Sequence, residues 1–63
     1  MKNKIKYYRE LKNLSQEELA KLSNVSRVTI SGLENETIKV TTNTTMDKIS
    51  KALGVSTIEL FYT

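Results

Sequence analysis

Few side chains of this 63-residue chain can do covalent chemistry. Histidine and cysteine are absent. That removes the usual general base, thiol nucleophiles, disulfides and the common zinc sites. Glu17 and Glu18 are adjacent carboxylates, but consecutive residues point to different helix faces, and acids in a first helical turn complement the dipole. They do not read as an acid/base pair. Tyr7 and Tyr8 suggest a stacking platform for single strands, yet Tyr8 falls on the apolar stripe of its helix and reads as core. No nucleophile stands with a base, and there is no phosphate-cradling glycine loop and no metal-ligand cluster. The expectation is a protein that is not an enzyme and holds neither cofactor nor metal. The chemistry left to it is recognition.

The totals bound what can be recognised. A chain of 63 residues is expected to form one domain, residues 1–63. Domains of this size bury only about 60% of the surface their unfolded chain exposes. Without disulfides or metals, stability has to come from regular helix packing or from a partner. Ten Lys and Arg against seven Asp and Glu give a net charge of +3, which is compatible with nucleic acid without proving it. Five of the ten basic residues (Lys2, Lys4, Lys6, Arg9 and Lys12) precede residue 13. From charge alone, as a group they read first as a solvated helix face. No apolar run approaches the roughly 18 residues of a membrane span. KNKIKYYRELK alternates charge too often for a signal-peptide core.

The apolar residues recur at spacings of three and four. Ile5, Tyr8 and Leu11 or Lys12 form one stripe; Leu19 and Leu22, Ile30 and Leu33, and Met46, Ile49 and Leu53 form others. Helices are predicted near 2–12, 16–22, 27–34, 45–53 and 57–61. Ser15 and Glu18 form a capping box, Ser56 and Glu59 repeat that form, Ser26 caps the third helix, and Thr44 opens the fourth more weakly. Asn13, Asn24, Asn35 and Gly54 are the stops, since Asn and Gly tolerate a left-handed backbone. The polar, β-branched stretch 35–44 reads as the longest loop.

The second and third helices are short and are separated only by Asn24, a buried Val25 and Ser26. A helix, a tight turn and another helix place one helix across a phosphate backbone and the next in the major groove. LSQEELAKLSNVSRVTISGLEN resembles the Cro and lambda-repressor type helix-turn-helix, also called the xenobiotic-response-element family. The likeness begins at IKYYRELKN and continues through MDKISKALGVSTIELF, so it covers nearly the whole chain. It implies an all-α, compact five-helix lambda-repressor-like DNA-binding domain.

The resemblance also implies roles. Gln16 opens helix 2 at a DNA phosphate, where free amides and the dipole favour an anion. Ala20 lets helices 2 and 3 approach; Val25, Ile30 and Leu33 are core. Ser26, Arg27, Val28 and Thr29 begin the recognition helix, with Ser26 assigned to phosphate. Arg27 is the leading base reader, because a guanidinium can bond guanine O6 and N7 together; its alternative partner is phosphate. Val28 meets a thymine methyl or packs partly in the core. Thr29 and Ser31 complete the base-facing group, with phosphate or solvent as alternatives. Gly32 departs from relatives that carry a long reading side chain there: either it permits close approach to DNA or it reads nothing. Asn35, Lys39 and Asn43 follow the phosphate backbone or are ordinary loop residues, and Lys6 and Lys12 approach phosphates or solvent. Glu36 and Thr37 depart from a glycine frequent in the family. Arg9 and Glu34 match a pair joining helix 1 to the end of helix 3; the alternative is two unrelated surface charges.

Helix 5 carries more apolar surface than so short a helix buries. Ile58, Phe61 and Tyr62 are assigned to a homodimer contact, the alternative being that Phe61 enters the core. The expected function is a cytoplasmic bacterial or phage transcription regulator, nucleoid-associated when bound, most often a repressor. It binds double-stranded DNA as a homodimer on an inverted-repeat operator. The rivals are an antitoxin or restriction controller with a protein partner, and a protein-interaction module using Lys48, Lys51, Ile58 and Phe61 of helices 4 and 5. No membrane partner is expected.

Overall fold

Every helix start in the chain is fixed by a short-range hydrogen bond. In the computed structural model, which describes residues 2–62, five helices run in the order α1 (Ile5–Leu11), α2 (Gln16–Ser23), α3 (Arg27–Glu34), α4 (Asn43–Leu53) and α5 (Thr57–Phe61), with no strand among the described residues. The Ser15 hydroxyl accepts from the Glu18 amide at 3.0 Å, and the Glu18 carboxylate accepts from the Ser15 amide at 2.8 Å. Hydrogen bonds from Ser15 to that carboxylate, the backbone one foremost and the side-chain one next, hold the Glu18 carboxyl below its ordinary range. Ser26 and Ser56 accept from the amides three residues on. The Ser56–Glu59 pair is only half of the expected box. Its carboxylate instead accepts from the hydroxyls of Ser56 and Tyr8, because α5 is packed where Tyr8 reaches it.

Two helix starts and one helix stop differ from the sequence expectation. Helix α1 starts at Ile5, not near residue 2, because the preceding residues form a strap. The Asn3 side chain accepts from the Ile5 amide and donates to the Leu33 carbonyl at 2.9 Å, while the Lys4 amide donates to the Leu60 carbonyl at 2.8 Å. Helix α4 starts at Asn43, since the cap is Thr42, not Thr44. Asn43 therefore lies in a helical turn rather than in the loop. Asn13 and Asn24 adopt the left-handed conformation, but Asn35 stays right-handed and Glu36 takes the positive φ of 61°.

The core is one cluster of Ile5, Leu19, Ile30, Leu33, Met46, Ile49, Leu53, Leu60 and Phe61. Helix α2 packs on α3 and α4, α4 carries α5, and α1 closes over α3 and α4. Among the described residues no buried side-chain nitrogen or oxygen lacks a hydrogen-bond partner. Leu11 and Leu22 are exposed and Val25 is half-buried. The helical stripes overcounted the core because these helices make only two or three turns.

Gly32 has an internal explanation that neither sequence reading contained. It is buried, and a Cβ there would stand 2.5 Å from Cδ1 of Ile38 and 2.6 Å from its Cγ1. The chain leaving α3 turns at Glu36 and folds back, so that the Thr37 and Ile38 amides both donate to the Gly32 carbonyl, at 2.9 and 3.0 Å. Ile38 then lies over the Gly32 backbone and joins the edge of the core.

Two substitutions test this turn by thermal unfolding. Gly32→Ala gains about 1 kcal/mol of helix propensity but overpacks against Ile38, which costs about 1–3 kcal/mol; a net loss of about 1 kcal/mol is expected, lowering Tm by about 4–8 °C. Glu36→Gly relieves a left-handed residue worth about 1–2 kcal/mol of strain and gives part of that back as chain entropy. Its Tm should rise by a few degrees. An unchanged or raised Tm for Gly32→Ala would remove the packing account.

Candidate nucleic-acid interface

The first residues of α2 and the outer face of α3 meet around a shallow concavity lined by Gln16, Arg27, Val28, Ser31, Gly32 and Thr37. Three of the four residues assigned to base reading are thus brought together beside Gln16. Thr29 lies outside that group and is half-buried. Arg27 is exposed, and Val28 is 79% exposed. The alternative of core packing for Val28 is therefore excluded. A free valine at the start of a helix, flanked by polar groups, is apolar surface that nothing among the described residues covers.

Hydrogen-bond directions decide what each hydroxyl and amide still offers. The Ser26 hydroxyl accepts from the Thr29 amide at 3.1 Å and donates to Thr29 Oγ1 at 2.8 Å. Its proton is spent, whereas Thr29 keeps its own. Phosphate oxygens only accept, so in this arrangement Thr29, not Ser26, has a hydroxyl proton for them. Ser31 Oγ accepts from Asn35 Nδ2 at 3.3 Å and likewise keeps its proton. Gln16 Nε2 gives one proton to Glu34 Oε1 at 3.1 Å. The second N–H and the carbonyl oxygen remain.

Beneath the concavity lies a fork of charge-assisted bonds. Arg9 Nε donates to Glu34 Oε2 at 2.7 Å, Nη2 to Glu34 Oε1 at 3.0 Å, and Nη1 to the Leu14 carbonyl at 2.8 Å. The Glu34 side chain is 2% exposed and that of Arg9 11%. The bond to Glu34 is the main reason the guanidinium pKa lies above its ordinary value. The carboxylate joins α1, the first side chain of α2 and the last residue of α3, and Arg9 carries the link on to the α1–α2 turn.

The remaining candidates are dispersed. Lys39 is exposed in the loop, Asn35 is exposed at the end of α3, and Asn43 is exposed in the first turn of α4. Ile58 and Tyr62 are 69% and 64% exposed. Phe61 is corrected: it is buried in the core, so it is spent on folding and offers no surface to a second copy or to a protein partner. Thr37 lines the concavity and was not among the sequence candidates. Its signal was Ile38, one of two apolar residues in a polar loop, six residues after a helical glycine.

Glu34→Ala should lower stability by about 3–5 kcal/mol, the cost of leaving a buried charge unpaired. Arg9→Lys should also lose stability despite keeping the charge, because an ammonium cannot make the two-pronged bond. Lys21→Ala is the control: it breaks the exposed Glu17–Lys21 pair at 3.9 Å and should cost about 0–1 kcal/mol. Chemical denaturation measures all three. Equal costs for Glu34→Ala and Lys21→Ala would show that the Arg9–Glu34 fork adds nothing beyond a surface pair.

Comparison with known proteins agrees with the architecture. The chain is 46% identical over 61 residues to an uncharacterized HTH-type transcriptional regulator of Methanocaldococcus jannaschii, covering 97% of this chain and 91% of that protein. Residues 5–60, spanning all but the end of α5, match the family described as Helix-turn-helix. With α2 and α3 forming the two short helices and Asn24–Ser26 the turn between them, the chain belongs to the helix-turn-helix family.

Proposed function

We propose that the protein is a transcription regulator that reads double-stranded DNA through the exposed face of α3. The observation that carries this reading is the pairing of Arg27 and Val28, both exposed, with Gln16 across the same concavity. A guanidinium, an apolar side chain and an amide are the groups that bond guanine, touch a thymine methyl and anchor a phosphate. The relative's printed name, a transcriptional regulator, supports the same role.

In this mechanism α2 rests on the sugar-phosphate backbone. Its first amides, the free N–H of Gln16 and the Thr29 hydroxyl bond phosphate oxygens and set the register. Asn35 and Lys39 extend that contact along the loop, and Asn43 from the first turn of α4. Arg27 and Val28, with Ser31, read base edges. Two copies then bind an inverted repeat, with Ile58 and Tyr62 of α5 meeting across the two-fold axis, and block a promoter in the cytoplasm. Half-sites would lie about 34 Å apart, one helical turn.

Selection of bound sequences from random duplex DNA tests the reading. An inverted repeat is expected, with affinity falling steeply as salt rises. Arg27→Ala should weaken binding to that site by about 1–3 kcal/mol and relax one position in each half-site. A single half-site would remove the homodimer. No enrichment from folded protein would remove DNA reading altogether.

A further inference from the structure

Gly32 carries no side chain one turn beyond Val28; Ile38 fills the place its Cβ would take, and the fold puts Thr37 beside it. Thr37 Oγ1 stands 3.4 Å from the position of a Cβ on Gly32. Two backbone bonds to the Gly32 carbonyl hold residues 37 and 38 there, so Thr37 is fixed to α3 almost as firmly as one of its own residues. It is exposed, and it lines the same concavity as Arg27, Val28 and Ser31.

We infer that Thr37 is a base-reading residue, and that it reads an amino group. The inference rests on the DNA reading above. Its chemistry follows from where the hydroxyl proton points. Thr37 Oγ1 donates to the Gly32 carbonyl at 3.3 Å, which leaves only lone pairs on the outward side. Phosphate oxygens and the O6, N7 and O4 atoms of bases are acceptors and cannot use them. The major-groove groups that can are the N6 amino group of adenine and the N4 amino group of cytosine.

The rest of the α3 surface makes this useful. Arg27 has donors only, Val28 is apolar, and Ser31 keeps its proton because its oxygen accepts from Asn35. Donors bond guanine, the N7 of adenine and the O4 of thymine but not the amino groups, for which α3 itself offers only the one lone pair left on Ser31. Thr37 supplies an acceptor to that face without lengthening α3.

The test uses the full chain and the site selected by the wild-type protein, with every base placed in turn at each half-site position. Thr37→Val keeps the shape and both backbone bonds and removes the oxygen; Thr37→Ser keeps the oxygen and removes the methyl. Thr37→Val should lose discrimination for adenine or cytosine at one position per half-site, by about two- to tenfold, with an unchanged salt slope. Thr37→Ser should retain that discrimination. A thermal unfolding curve matching the wild type shows that the variant is folded. Uniform weakening across all sequences, or an altered salt slope, would assign Thr37 to phosphate and overturn the inference. So would a shift seen with Thr37→Ser and not with Thr37→Val, which would mark a methyl contact. An unaltered preference in both variants overturns it while leaving DNA reading intact. If the wild-type protein selects no site, the DNA reading itself falls and takes this inference with it.

Discussion

The carboxylate of Glu34 is the constraint on which the rest of the structure hangs. A helix as short as α1, with seven residues, is not stable alone, and each of the five helices needs its neighbours to exist. Glu34 accepts from Arg9 of α1 and from Gln16 of α2 while ending α3. Arg9 in turn holds the Leu14 carbonyl at the entrance to α2. A buried ion pair of this kind is not a large source of net stability. Its effect is on geometry: with every partner within 3.1 Å, few arrangements of α1, α2 and α3 satisfy all four bonds. The angle between α2 and α3 is therefore set from inside.

The second constraint is the return of the chain after α3. A left-handed Glu36 and a side-chain-free Gly32 are each unfavourable locally, the first through strain and the second through helix propensity. Together they let Ile38 cover the end of α3 and attach to the core. Both costs are met by tertiary contact. These contacts hold Thr37 and Ile38 against α3 and place Thr37 at the concavity, next to the surface where DNA is proposed to lie.

A domain this small has to divide its apolar residues between folding and recognition. Phe61 and Leu60 go to the core; Ile58 and Tyr62 stay outside with Val28. The same division runs through the polar groups. Ser15, Ser26, Thr42 and Ser56 spend their hydroxyls on helix starts, whereas Arg27 and one N–H of Gln16 are left for a partner. Membership of the helix-turn-helix family fixes the scaffold; the residues left unspent are this chain's own.

Much of the local structure was legible in the residues, because it depends on near neighbours. The five helices, the Ser15–Glu18 box, the Ser26 cap and the left-handed Asn13, Asn24 and Gly54 all follow from contacts within four residues, and a linear sequence displays such contacts directly. The two-turn spacing around Asn24 and the motifs beside it also carried the fold family. Tertiary structure decided what depends on distant partners. Thr42 rather than Thr44 caps α4, although the run TTNTT offers each hydroxyl equally. The strap at Asn3 and Lys4 replaces a first helical turn because Leu33 and Leu60 supply acceptors. Phe61 is core while Ile58 is surface, since a five-residue helix leaves its facing undetermined until it packs. Thr37 reached the concavity, and Gly32 found its reason, only through a chain reversal that brings residues 32 and 38 into contact. Local propensity carries no information about which segments will meet, and those meetings complete the candidate site.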